Sequence, residues 1–151
     1  MKAVIQRVFK ASVVADGNSA GSGDYGLLVL LGVVAGDTEE QATLLAKKIA
    51  QLRIFCDDEG KMNRSIVDIG GQAVVVSNFT LAADMKKGTR PSFDKAMPPQ
   101  EADRLYKFFV GELAAYGIHT ETGVFGAKMV IDMQCDGPVT LIMDTDIWRK
   151  A

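Results

Sequence analysis

Gly70-Gly71-Gln72-Ala73-Val74-Val75-Val76-Ser77-Asn78-Phe79-Thr80-Leu81 stands between two stretches of helical periodicity, and its reading decides the fold. A β-branched run follows paired glycines and gives way to hydroxyl and amide side chains, the pattern of a buried strand over Ala73–Leu81 with a polar end. Upstream, Ala42, Leu45, Ala46, Ile49 and Leu52 recur at three- and four-residue steps between Asp37 and Ile54, and Thr38 and Gln41 have capping-box spacing. Downstream, Met97-Pro98-Pro99-Gln100-Glu101 opens a second helix that carries Ala102, Leu105, Tyr106, Phe109 and Leu113 on one stripe before Tyr116-Gly117 stops it.

Further out, Ala3–Phe9 reads as one strand and Ser12–Ala15 as a second entering the turn Asp16-Gly17-Asn18, so the chain opens as a hairpin. Gly26–Ala35 is an apolar run that reads as a buried strand. Ile118–Thr122, Lys128–Gln134 and Val139–Met143 read as three more, separated by glycine-containing turns. Strands interleaved with two helices predict an α/β fold, one compact domain over residues 1–151 with a mixed or mostly antiparallel sheet flanked by two helices.

With 151 residues, 48% of them hydrophobic, the chain can close a core without staples. Its longest apolar run is about half of the ~20 residues a membrane span needs. The N-terminus has no apolar signal core, and two cysteines are too few for a disulfide framework, so a reducing, cytoplasmic setting without membrane contact is expected. A net charge of −2 removes the uniform basic field that gathers nucleic-acid phosphates, so any RNA contact must be local. Lys86-Lys87-Gly88-Thr89-Arg90 is the obvious local patch, to which Lys61 and Arg64 could add; on charge alone it reads equally as a solvated loop.

The chemistry open to these residues is narrow. The one histidine, His119, has no cysteine or carboxylate cluster beside it, and no HExxH or CxxC spacing exists, so no metal is expected. Ser77 lacks the GxSxG elbow of a triad hydrolase. No phosphate-cradling glycine motif occurs, so no nucleotide cofactor is expected. What remains is Ser77-Asn78-Phe79-Thr80, whose hydroxyls and the N–H groups of Phe79 and Thr80 can serve a developing oxyanion, or can simply end a strand. Asp136-Gly137-Pro138-Val139-Thr140 is either an ordinary turn or a cis X–Pro site.

Six blocks in order resemble the D-aminoacyl-tRNA deacylase family. These are Lys2-Ala3-Val4-Ile5-Gln6-Arg7-Val8, Gly60-Lys61-Met62-Asn63, Ser77-Asn78-Phe79-Thr80-Leu81, Gly88-Thr89-Arg90-Pro91-Ser92-Phe93, Glu121 to Met129, and Asp136-Gly137-Pro138-Val139-Thr140. Two positions depart from the family's habit: Asn78 stands where glutamine is usual, and Cys135 where asparagine is usual. Asn78 is one methylene shorter, and Cys135 reads as a packed strand residue.

The resemblance implies a barrel-like sheet and a homodimer in which a cis Gly137-Pro138 loop enters the partner's pocket and holds the substrate's α-ammonium group. It implies that Arg7 braces this loop, and that Ser77, Asn78, Phe79, Thr80, Ala96, Phe125 and Met129 form the site. The implied partner is aminoacylated tRNA at its 3′-terminal adenosine. The implied activity is ester hydrolysis releasing free tRNA and a D-amino acid, a proofreading step in translation. With three substituents of Cα fixed, an L side chain would run into main chain while a D side chain points to solvent; glycine, lacking Cβ, should pass on a wrongly charged tRNA. Backbone N–H groups near Phe79 and Thr80 would stabilise the oxyanion while the RNA's vicinal 2′-hydroxyl positions or activates water; Thr80 as nucleophile is the alternative. A non-catalytic RNA-binding homodimer is the rival from another class.

Overall fold

The computed structural model describes residues 1–149, so Lys150 and Ala151 of the expected domain lie outside the described residues. In chain order the elements are β1 (Lys2–Ala15), β2 (Asn18–Gly23), β3 (Gly26–Gly32), α1 (Glu39–Gln51), β4 (Phe55–Cys56), β5 (Met62–Arg64), β6 (Gln72–Ser77), α2 (Pro99–Ala114), β7 (His119–Thr122) and β8 (Met129–Asp144). Two short 3-10 turns, Phe79–Ala82 and Thr145–Trp148, complete them.

β1 is a single strand spanning both segments expected at the N-terminus. Its backbone stays extended through Lys10 because partners continue beside it. On one edge β3 pairs with Lys2–Val8 and then β2 with Ala11–Ala15; on the other β8 runs antiparallel for nearly the whole length. For the same reason the two late strands expected at Lys128–Gln134 and Val139–Met143 are one strand. It is interrupted by an excursion rather than a turn: Gln6 faces Thr140 and Val8 faces Cys135, so Asp136–Val139 bulges out opposite Arg7. Within it the Gly137–Pro138 peptide is cis.

The rest of the sheet is parallel. β3 pairs with β6 and β6 with β7, and α1 and α2 lie in the two connections, as parallel neighbours require a crossover. β2 curls over towards β7 until a Cβ at Gly21 would overlap the Thr122 carbonyl, leaving a mixed, nearly closed, barrel-like sheet with two helices against it. β3 and β6 are buried on both faces, which explains their continuous apolar sequence. One face meets the helices through Leu31, Val75, Leu45, Ile49, Leu105 and Phe109; the other encloses Val8, Val13, Leu28, Val74 and Val76.

Both helices begin as the sequence predicts. Thr38 Oγ1 accepts from Glu40 N at 3.3 Å while Gln41 Oε1 accepts from Thr38 N at 2.7 Å, and Pro99 opens α2. The Met1 α-ammonium is buried between Asp37 Oδ1 at 2.7 Å and Thr145 Oγ1 at 2.8 Å, tying the chain start to the approach to α1 and the last 3-10 turn. None of the described helices is long and apolar enough to cross a membrane.

Candidate active site

The strand expected over Ala73–Leu81 stops at Ser77, where its ladder with β3 runs out at Leu31. Asn78 N makes a last bond to Leu31 O at 2.7 Å, and the unpaired backbone then tightens into the Phe79–Ala82 turn through Leu81 N to Asn78 O and Ala83 N to Thr80 O. Gly32 makes room for it: a Cβ there would lie 2.8 Å from Leu81 Cβ and 3.1 Å from Asn78 O.

A cavity of about 550 Å³ opens beside this strand end. Ser77 lines it from β6, Asn78 and Phe79 from the start of the turn, Leu31 and Val33 from the end of β3 and just past it, Ala96 to Pro98 from the approach to α2, and Pro99, Ala102 and Tyr106 from α2 itself. Phe125, Gly126, Ala127 and Met129 close the list of walls on the way into β8. Phe79 meets Phe93 edge to face, centroids 5.1 Å apart. Tyr106 donates to Val75 O at 2.7 Å, which fixes α2 against β6; burial first, then the charge of Asp103, raises its phenol above the ordinary range.

Six residues singled out from the sequence, Ser77, Asn78, Phe79, Ala96, Phe125 and Met129, therefore line one cavity. Thr80 does not line it; its hydroxyl donates to Asn78 Oδ1, so this shorter amide still closes a local bond at the strand end. The sequence reading missed Phe93, Met97 and Tyr106 as cavity residues. Tyr106 was legible only as a core position on the helical stripe, because nothing in a stripe says which core residue borders a void.

The turn leaves two donors over. Among the described residues, the N–H groups of Phe79 and Thr80 have no hydrogen-bond acceptor, since a 3-10 turn satisfies neither of its first two amides internally. They stand beside a mostly apolar cavity wall. His119 is exposed outside the cavity, with Nε2 3.9 Å from Glu121 Oε1. Cys135, expected as a packed strand residue, is exposed, because no element covers its face of β8; its Sγ lies 3.9 Å from Gln6 Oε1.

Gly137 and Pro138 do not line this cavity of their own chain; they ride on the β8 excursion. Arg7 holds its base. Nη1 donates to Ile54 O at 2.6 Å, and Nε lies 3.0 Å from Asp136 Oδ2 and 3.3 Å from Asp136 O. Tyr25 adds a bond to Asp136 Oδ2 at 2.9 Å, and burial, then that carboxylate, raises its phenol. Gln6 accepts from Thr140 Oγ1 at 2.7 Å on the other limb. The excursion is thus clamped at its neck while its tip is exposed.

A nearly closed mixed sheet, an apolar cavity at a parallel strand end and two free amides beside it define a small α/β domain. The family described as D-Tyr-tRNA(Tyr) deacylase matches residues 4–144. A D-aminoacyl-tRNA deacylase of Ruegeria pomeroyi is 57% identical over 144 residues, covering 95% of this chain and 99% of its own. One of Roseiflexus castenholzii is 55% identical over 150 residues, covering 99% and 96%. Among solved structures, one titled c-Myc DNA Unwinding Element Binding Protein superposes with a TM-score of 0.89 at 37% identity, covering 95% of this chain and 98% of that one. This chain belongs to the D-aminoacyl-tRNA deacylase family.

Proposed function

We propose that this protein hydrolyses the ester joining a D-amino acid to the 3′-terminal adenosine of tRNA, releasing free tRNA and the D-amino acid, and that it works as a homodimer. The observation that carries this reading is the pair of unpartnered amides, Phe79 and Thr80, beside an apolar cavity in a chain of this family. In hydrolysis, water adds to the ester carbonyl, the oxyanion takes the two N–H bonds, and the ribose oxygen leaves with the electron pair of the cleaved C–O bond and a proton. Each such donor is worth roughly 10²–10³ in rate. The adenosine's vicinal 2′-hydroxyl positions the water, for the cavity lining holds neither histidine nor cysteine.

The exposed Gly137–Pro138 tip and the exposed apolar residues of β8, Val130 and Ile142, support a second copy docking across this strand, whose outer edge pairs with nothing among the described residues. The tip of one protomer would then complete the cavity of the other, its carbonyls accepting from the α-ammonium. Chirality follows from exclusion: with amino group and carbonyl held by main chain, only an L side chain points into the protein. A series of alanyl and glycyl esters tests this. D-alanyl- and glycyl-tRNA should be cleaved and L-alanyl-tRNA spared; cleavage of the L-form at a comparable rate would refute the exclusion.

A further inference from the structure

The Phe79–Ala82 turn has a second neighbour. Ala82 and Ala83, which end it, border a groove of about 400 Å³ whose walls also carry Lys2, Asp84, Lys86 and Lys95. Lys95 Nζ lies 2.9 Å from Asp84 Oδ2 and Lys2 Nζ 3.7 Å from Asp144 Oδ2, so of the three ammonium groups bordering this groove Lys86 is the one without a carboxylate partner among the described residues. The loop continuing from it, closed by the Asp84–Ser92 bridge, carries Lys86, Lys87 and Arg90, none of which has a carboxylate partner among the described residues. By contrast Lys61 and Arg64, which the sequence offered as an addition to this patch, are engaged by Glu59 at 3.5 Å and Asp58 at 3.1 Å. The returning limb of the loop ends on Phe93 and Ala96, which line the cavity.

Three cations without a carboxylate partner among the described residues, Lys86, Lys87 and Arg90, therefore share one loop whose two limbs both lead to the ester pocket, in a chain whose net charge is −2. Polyanion attraction that is local rather than general serves to orient a ligand. A nucleotide chain whose terminal ribose is esterified in the cavity must pass its last phosphates over the rim. We propose that the Lys86–Arg90 loop and the groove beneath it hold the backbone phosphates of the single-stranded RNA 3′ end leading into the cavity. This rests on the deacylase reading for what occupies the cavity, but the phosphate contacts themselves do not depend on turnover.

Two readouts test it on the full chain. Binding of uncharged tRNA at a series of salt concentrations compares the wild type with the triple variant Lys86→Gln, Lys87→Gln, Arg90→Gln. Each contact to single-stranded phosphate contributes about 0.7 to the slope of log K against log salt, so the slope should shrink by about 2. Between 50 and 200 mM salt the wild type should then lose about 20-fold more affinity than the variant. The charge-keeping variant Lys86→Arg, Lys87→Arg, Arg90→Lys should restore the slope. In parallel, the Gln variant should lose kcat/KM on D-tyrosyl-tRNA while keeping it on 3′-O-D-tyrosyladenosine, which has no phosphate. An unchanged slope, or equal loss on both substrates, overturns the proposal. A reduced slope in a protein that cleaves neither ester would leave the phosphate surface standing and overturn the deacylase reading alone.

Discussion

Arg7 and Asp136 are joined twice: the guanidinium Nε lies 3.0 Å from the carboxylate Oδ2 and 3.3 Å from the main-chain oxygen of the same residue. Arg7 is 7% exposed and spends its remaining reach on Ile54 O, so one side chain fixes both the base of the Gly137–Pro138 excursion and the segment leading into β4. Removing it strands the Ile54 and Asp136 carbonyls and leaves the half-buried Asp136 carboxylate with Tyr25 in place of its countercharge. Arg7→Ala should cost about 3–5 kcal/mol in urea unfolding, with Arg7→Lys intermediate because the charge stays but the planar fork is lost.

Gly137 adopts φ +128°, and a Cβ there would lie 2.7 Å from Val139 N and 2.9 Å from Val139 Cγ2. Gly137→Ala should cost about 1–3 kcal/mol of stability. Its effect on D-ester turnover should be larger, of the order of 10²-fold in kcat/KM, since the displaced tip no longer presents its carbonyls in place. Stability and kinetics measured on the same preparation separate the two effects.

Thr80 bonds Asn78 Oδ1 through its hydroxyl and keeps clear of the cavity lining, and the proposed reaction uses only its main-chain N–H. Thr80→Ala keeps that N–H and should lower kcat by less than about tenfold, whereas loss of a nucleophile costs of the order of 10⁶. Complete loss of turnover with a substrate analogue still bound would make the hydroxyl the reacting group.

Much of this was legible in the sequence, and what was not has physical reasons. The cap at Thr38, the proline that opens α2 and the buried runs of β3 and β6 announce themselves because local chemistry and two-sided burial leave clear signatures. The continuity of β1 and β8 did not, because each is held extended through its polar middle by the other, a pairing between opposite ends of the chain. Nor did the end of β6: Phe79, Thr80 and Leu81 have strand-like composition, and only the loss of the β3 partner beyond Leu31 turns them into a 3-10 turn. The sequence singled out the Phe79 and Thr80 amides, but it is this turn that leaves them without an acceptor.

Tyr106 provides a pH signature. Its phenol, raised above the ordinary 10.0 by burial and by Asp103, keeps its proton in the folded state at pH values where the unfolded chain releases it. The unfolded state then binds fewer protons, so stability is level below about pH 10 and falls as pH rises beyond it, by up to about 1.4 kcal/mol per pH unit. In Tyr106→Phe this component of the alkaline decline should be absent, against a constant cost of about 1 kcal/mol for the lost bond to Val75 O. Urea midpoints of both proteins from pH 8 to 11 would show the two curves converging; parallel curves would contradict it.

The central claim is tested most directly by deacylation of matched D-tyrosyl- and L-tyrosyl-tRNA with the purified protein, each with and without a metal chelator. The account predicts rapid release of D-tyrosine, unaffected by chelator, and no release of L-tyrosine above the spontaneous rate. No release from either ester by folded protein, or equal release from both, would contradict it.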